Sequence, residues 1–498
     1  MHKLAKLDQA HVWHPFTQMR DWLKREPIVI VEGKGALLRD VNGREYLDAN
    51  SSIWTSLHGH NHPGINSAIQ KQLKKIAHSS ALGLANEPAS LLAAELVKEA
   101  NRIYDLRFTI YDRKTKTTRQ SEFVNRKLER VFFSDDGSTA MEVALKLAYE
   151  FTRRIRGKKS RPKFLSLKGG YHGDTVGAVA LGHIDLFHNA YRDLLFKTDE
   201  AMSPYCYRCP FNKARPERAD AREYRKCNWE CVDQVEVRFV ARKKRGNPYA
   251  AFVFEPLMQG AAGMIPQPSG WLQRVSDIAR SHRALLVADE VMTGFGRANS
   301  TFKVQDSRLP IFACHEEGVR PDFLCVAKGL TGGYLPMAAT LTTQTIFDAF
   351  LGEYSEFKTF FHGHSYTANQ LGAAAALANL DILQTPHSVR TRATLQQTLA
   401  HELKQLWALP NIGDIRQVGS IAGIELVKDW RTRKPFDLRE QAGIRVCDAM
   451  AGRGVLTRPI GNIIVLMPPY CTTPRQLRKM VAALCEAICE VFPASAAT

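Results

Sequence analysis

The chain has 498 residues, with 68 Lys and Arg against 50 Asp and Glu, a formal charge of +18. Hydrophobic residues make up 45% and charged residues 24%, with 33 Gly and 23 Pro, which excludes a disordered chain and any collagen-like or low-complexity material. The length admits one large or two ordinary globular domains, and the surplus charge leaves nucleic acid, an anionic membrane surface or an anionic small molecule to be weighed as ligand.

The opening residues, MHKLAKLDQAHVWHPFTQM, lack the apolar run of a secretory signal. No apolar run in the chain reaches the roughly 20 residues that span a bilayer, so a cytoplasmic protein with no membrane attachment is expected. The segment IVIVEGKGALLRDVNGREYLDA has two β-rich runs around an Asn42-Gly43 turn signal. A helix is predicted over 63–77 from the helical spacing of Ile65, Ala68, Ile69, Leu73 and Ile76. From about residue 130 short apolar runs (RVFFS, KFLSL, AAFVFEP, ALLVADE, FLCVAKG) alternate with amphipathic stretches such as STAMEVALKLAYEF and GWLQRVSDIARSHR. That alternation predicts a mostly parallel α/β sheet. A helix over 368–383 follows, and the C-terminal part returns to mixed α and β character, ending in the strand IIVLM and a last helix. There is no internal repeat. Blocks 101–130 and 206–245 look inserted.

Four features fall at predicted strand ends, where open α/β sheets place their ligands. Ser134–Ala140 joins a strand to a helix, and Gly137 and Ser138 there could offer N–H and hydroxyl donors to a phosphate; an ordinary Ser/Thr-capped turn reads equally from this segment alone. In Gly169–Thr175, Tyr171 between glycines can lie flat on a planar ligand, or be a half-buried loop residue. Asp289 ends the apolar strand LLVAD, where a carboxylate needs a cationic partner such as a protonated pyridine nitrogen; the alternative is a strand-end acid capping the next element. Lys328 follows the strand FLCVA and precedes Gly329, Gly332 and Gly333, and desolvation there favours Schiff-base chemistry, whereas most lysines snorkel to the surface. Together the four supply what pyridoxal phosphate requires: a phosphate cradle, a stacking ring, a carboxylate for the pyridinium and a Schiff-base lysine.

The segments VADEVMTGFGR, AKGLTGGYLPMA and GGYHGDT resemble the class III pyridoxal-phosphate aminotransferases. HVWHPFTQM, SSIWTSLHGHNHP, FFHGHSYTANQLG and LTRPIGNIIVLMPPY are similar to the branch of that family that converts 8-amino-7-oxononanoate to 7,8-diaminononanoate in biotin synthesis. The resemblance implies a fold-type I transferase. Its large cofactor domain would cover 81–374, with a smaller αβ domain built from 1–80 and 375–498. It implies pyridoxal 5′-phosphate as cofactor, with Lys328, Asp289 and Tyr171 catalytic and Gly137, Ser138 and His172 in the cofactor site. His364 and Ser365 match positions that add phosphate contacts from a neighbouring subunit, so a homodimer with shared sites is implied. Arg458 matches the arginine that pairs with a substrate carboxylate, a task suited to a planar guanidinium. Trp54 and Gly363 match pocket walls. Phe16 and Ile53 stand where the S-adenosylmethionine-using enzymes carry Tyr and Trp. Those two positions tilt the expected amino donor from S-adenosylmethionine towards L-lysine.

Cys206-x2-Cys209 and Cys227-x3-Cys231 approximate a four-thiolate zinc site; the alternative is a loop of reduced thiols with no metal, and no metal is expected in the chemistry. The other six cysteines lie in apolar segments and read as core thiols. Two rival functions stand beside this reading: another class III aminotransferase of the ω-amino acid or acetylornithine type, and a non-enzymatic polyanion-binding protein. Against the latter, residues 101–130, 153–163 and 206–245 carry +5, +7 and +6, and the rest of the chain is net neutral. The charge therefore lies outside the cofactor motifs and reads as solvated decoration, with nucleic acid an unexpected partner.

Overall fold

In a computed structural model, residues 1–111, 126–157, 160–299 and 309–493 are described. Part of the 101–130 block and two positions of the basic run 153–163 lie outside them. Seven strands form the central sheet: β1 (Leu128–Ser134), β2 (Lys163–Leu167), β3 (Asp199–Ala201), β4 (Tyr249–Phe254), β5 (Leu285–Asp289), β6 (Phe323–Val326) and β7 (Ala338–Thr343). Their order is β1–β7–β6–β5–β4–β2–β3. All run parallel except β7, which is antiparallel to both neighbours.

Every residue of β4 is buried, as a strand covered on both faces must be. Alternate side chains serve opposite faces. Ala251 and Val253 pack with helix α1 (Gly137–Arg156), whose Ala140, Met141, Ala144 and Ala148 point inward. Phe252 and Phe254 face Trp271, Leu272 and Val275 of the helix Trp271–Ser281.

The chain's two ends share a four-stranded sheet. Strands Ile30–Lys34, Leu37–Asp40 and Glu45–Asp48 form an antiparallel meander, and Val455–Leu456 joins it in parallel beside Glu45–Asp48. The Asn42-Gly43 turn is present: Asp40 Oδ1 accepts from the N–H of Asn42 and of Arg44, both at 2.9 Å. A second antiparallel sheet contains Ile412–Val418, Ile421–Asp429 and Ile463–Leu466. The helix predicted over 63–77 is Pro63–Leu73, capped at Lys74, and the Gln72 side chain donates to the Ile76 carbonyl (3.0 Å) in the turn beyond. The helix predicted from 368 starts at Gln370: Ala368 is left-handed (φ 59°), and Asn369 caps the helix through Gly372 N–H.

The basic stretch 206–245 does not float in solvent as expected. It ends in helix α2 (Glu230–Lys244), whose Val232, Val235 and Phe239 are buried. Arg208 Nε donates to Glu425 (2.8 Å), Arg222 Nη2 to the Gln417 carbonyl (2.7 Å), and Arg218 to the carbonyls of Trp407, Leu409 and Ile412. Arg156 likewise donates to the carbonyls of Pro248 (2.8 Å) and Tyr249 (3.0 Å). These four arginines satisfy carbonyl and carboxylate groups of neighbouring segments, which would otherwise lack partners.

Candidate active site

The carboxyl ends of β1, β2, β4, β5 and β6 deliver the site. After β1, Asp136 caps α1 by accepting from Thr139 N–H (2.8 Å), with the Thr139 hydroxyl paired back to Asp136 N–H (3.0 Å). This capping box presents Gly137 and Ser138 as the first helical residues. The loop after β2 packs onto them: Thr175 N–H donates to Ser138 Oγ (2.9 Å). A Cβ on Gly137 would stand 2.6 Å from Val291, and one on Gly173 (φ 121°) would stand 2.3 Å from Ser138. Only glycine permits this close approach of two backbones at a helix N-terminus.

Asp289, at the end of β5, is buried and bonded by His172 Nδ1–H at 2.7 Å. Its second oxygen accepts from Val291 N–H (3.1 Å). Burial opposes the charged form of His172, but Asp289, with Glu255 behind it, outweighs that and holds the imidazole above its ordinary pKa. Lys328 follows β6 on a left-handed backbone (φ 43°). Burial pulls its amine below the usual lysine range, against the opposing pull of Asp289 and Glu255. Its Nζ lies 4.6 Å from the Trp54 ring centroid.

Tyr171 is anchored at both ends. Its N–H donates to Glu255 Oε1 (3.3 Å) and its hydroxyl to Asp174 (2.7 Å). Burial, with Asp174 next in weight, raises the phenol's pKa, so it stays protonated. The ring is flanked by His188, nearly parallel at 6.4 Å, and by the edge of Phe187 at 6.3 Å. Phe187 in turn meets Phe16 at 5.2 Å. Trp54 and Ile53 belong to a turn in which Ser51, Ser52, Ile53 and Trp54 all have positive φ (47–69°).

Other sequence-derived candidates sit differently. His364 Nδ1 contacts Asp135 of its own chain at 2.9 Å, next to the phosphate-loop residues. The Ser365 carbonyl accepts from His78 (2.9 Å), and Gly363 faces open space, with nothing within 4 Å of a Cβ position. Arg458 is exposed and makes no hydrogen bond or ion pair among the described residues. The four clustered cysteines are free thiols, with Arg225 Nη1 on Cys227 Sγ at 3.0 Å. Among the described residues no three His, Cys, Asp or Glu side chains converge to hold a metal ion. Glu255 and Phe187 were not found from sequence. Glu255 carries the same signal as Asp289, an acid ending a fully apolar strand, whereas nothing local distinguishes Phe187.

The residues fit pyridoxal phosphate. The glycine cradle is kept open by two contacts that a Cβ would close, a buried carboxylate stands ready for a cation, and the half-buried Lys328 makes no hydrogen bond among the described residues.

Fold and site together define a pyridoxal-phosphate-dependent transferase of fold type I. Residues 19–488 match the aminotransferase class-III family, and the chain belongs to it. It is 43% identical to the adenosylmethionine-8-amino-7-oxononanoate aminotransferase of Geobacter sulfurreducens, over 97% of this chain and 96% of that one. It is 42% identical to the enzyme of the same name from Anoxybacillus flavithermus, over 98% and 97%. Among solved structures it resembles the Methanocaldococcus jannaschii protein of that name, with TM-score 0.82, 38% identity and 98% of each chain covered. It also resembles an amine transaminase from an uncultivated Pseudomonas species in its cofactor-bound form, with TM-score 0.81, 30% identity, and 97% of this chain and 99% of that one covered.

Proposed function

We propose that the protein transfers an amino group to 8-amino-7-oxononanoate, forming 7,8-diaminononanoate for biotin synthesis. The observation that carries this reading is the near-full-length similarity to enzymes named for that acceptor. The motifs HPFTQM and TRPIG support it by occurring in one chain with the cofactor site.

Pyridoxal phosphate, when bound, supplies an electron sink for the carbon that loses or gains the amino group. Around it, Lys328 Nζ moves the proton, a task helped by the burial that makes its amine easier to deprotonate. Asp289 holds the proton on the pyridine nitrogen, and Gly137 and Ser138 bind the phosphate. Tyr171 would cover the ring, and its anchored hydroxyl and amide keep it from swinging away. Arg458 remains uncommitted to any described partner and is assigned to a substrate carboxylate. Trp54, Phe16, Phe187 and Ile53 form apolar walls that suit an aliphatic substrate chain. We assign a homodimer as the active unit, in which Gly363 and its neighbours His364 and Ser365 complete a facing site; light scattering on the eluting holoenzyme tests it, and a monomer with full activity overturns it.

Lys328→Ala should abolish both turnover and the absorbance near ~410–420 nm expected of a Schiff-base lysine. Persistent turnover would sink the mechanism. The amino donor is S-adenosylmethionine or L-lysine. The names of the relatives carry the first, while Phe16 and Ile53 favour the second. Holoenzyme given 8-amino-7-oxononanoate with each donor separately decides between them: turnover with L-lysine alone is expected, and turnover with S-adenosylmethionine alone overturns that choice.

A further inference from the structure

Glu255 directly follows β4 as a buried acid in the site. Its two oxygens are divided between two loops. Oε1 accepts from Tyr171 N–H (3.3 Å), and Oε2 accepts from Gly260 N–H (2.7 Å). Its own carbonyl accepts from the Gln267 side chain (2.8 Å), which closes the hairpin that carries Gly260. A Cβ on Gly260 would touch Met292 and approach Trp54, so this hairpin backs the pocket wall. One carboxylate thus clamps the stacking ring on one side and the Trp54 support on the other.

The same carboxylate has an electrostatic partner. His172 is buried, gives Nδ1–H to Asp289, and its Nε2 is buried with no hydrogen-bond partner. A neutral ring would leave an unused lone pair there, and a charged ring an unused N–H. Hydrogen bonding therefore does not choose between the two forms, and the surrounding charge does. Asp289 and Glu255 act on His172 to favour its charge, while the His183 and His188 imidazoles beside it, both held below their ordinary range by burial, oppose it. The groups acting on Glu255 are His172, Asp289, the Lys328 amine and the Tyr171 phenol, with the Tyr171 and Gly260 amides. Two carboxylates against one imidazolium leave a single negative charge beside the Lys328 amine, which the pyridinium of a bound cofactor would balance.

We propose that Glu255 is a positioning residue that clamps Tyr171 and keeps His172 charged against Asp289. Asp289 then meets the pyridinium with its other side already braced. The proposal rests on the cofactor-site reading given above but not on the identity of the amino acceptor. Burial pushes Glu255 up to about 7, so its charge is present in the mildly alkaline range.

Two measurements test it. In holoenzyme labelled with 15N-histidine, the His172 ring, assigned by its loss in His172→Asn, should show both nitrogens protonated at about pH 8. A neutral ring there overturns the proposal without any variant of Glu255 having to fold. In Glu255→Gln, which sets an amide N–H against a backbone N–H, cofactor affinity should fall about ten-fold. The pH midpoint of the visible band should fall by about half a unit or more, because a negative charge near Lys328 is gone. Unchanged affinity and midpoint overturn the proposal. Both shifts in a protein that does not aminate 8-amino-7-oxononanoate would support it and fail the substrate reading instead.

Discussion

The contact between His172 and Asp289 ties a residue's titration to the stability of the fold. The imidazole's folded-state pKa lies above its ordinary 6.5. Protonation therefore favours the folded protein, and the contribution is complete below about pH 6.5, then fades as pH rises through the raised value. In the cofactor-free protein, His172→Asn should lower unfolding stability more at about pH 6 than at about pH 9. Denaturant titration at the two pH values checks this, and an equal loss at both would mean the contact carries no net charge. Glu255 shows what a residue-by-residue reading of sequence misses. Asp289 drew attention because a strand-end acid needs a cation; Glu255 has the same setting, yet its partners are amides from two distant loops, and only the folded chain supplies them.

At the scale of elements, the left-handed turn Ser51–Trp54 stands out. A left-handed backbone costs a non-glycine residue about 1–2 kcal/mol, and here it is imposed on four in a row. Asp48 opposes that cost by accepting from Ser52 N–H (3.1 Å) and Ser52 Oγ (3.0 Å), and Ser51 Oγ donates to the Met467 carbonyl (2.6 Å). The turn brings the Trp54 ring over Lys328, which fits the view that strain gathers at functional sites. Ile53 is the most strained type there, being β-branched with φ 62°. Ile53→Gly should therefore raise stability by about 0.5–1 kcal/mol while raising KM for the acceptor through loss of a pocket wall. Thermal unfolding and steady-state kinetics measure the two; a loss of stability would show that the turn is not strained. No sequence rule foretold this element, since Ser-Ser-Ile-Trp contains neither Gly nor Asn to announce a positive φ.

At the scale of the molecule, Arg297 ties the segment after β5 to chain segments beside two of the outer sheets. It lies in the VADEVMTGFGR segment that marks the family, yet it is buried and touches no cofactor-site residue singled out above. Its guanidinium donates to the carbonyls of Pro468 (2.7 Å) and Ser56 (3.0 Å) and sits over the Tyr470 ring, 4.8 Å from its centroid. Its own carbonyl accepts from Ser420 N–H (2.9 Å). Arg297→Ala should cost about 3 kcal/mol or more, the sum expected of two buried charge-assisted bonds, and Arg297→Lys should recover only part of it because a point charge cannot span both carbonyls. Unfolding midpoints of the two variants check this; a full rescue by Lys would mean charge alone suffices. The same principle applies to four arginines of the basic stretches: Arg156, Arg208, Arg218 and Arg222 are tied to carbonyls and carboxylates inside the fold rather than held out to a polyanion.

The sequence by itself determined the α/β alternation, the cofactor and the strand-end positions of Gly137, Tyr171, Asp289 and Lys328. Those features are local: each is a residue type set against the apolar run before it. Tertiary structure alone decided that β7 runs against its neighbours, that Glu255 stands behind His172, that Trp54 overlies Lys328 and that the arginines of 206–245 turn inward. Each of these depends on which distant segments the sheet order and the burial of apolar faces bring together, and the spacing of residues along the chain does not encode that.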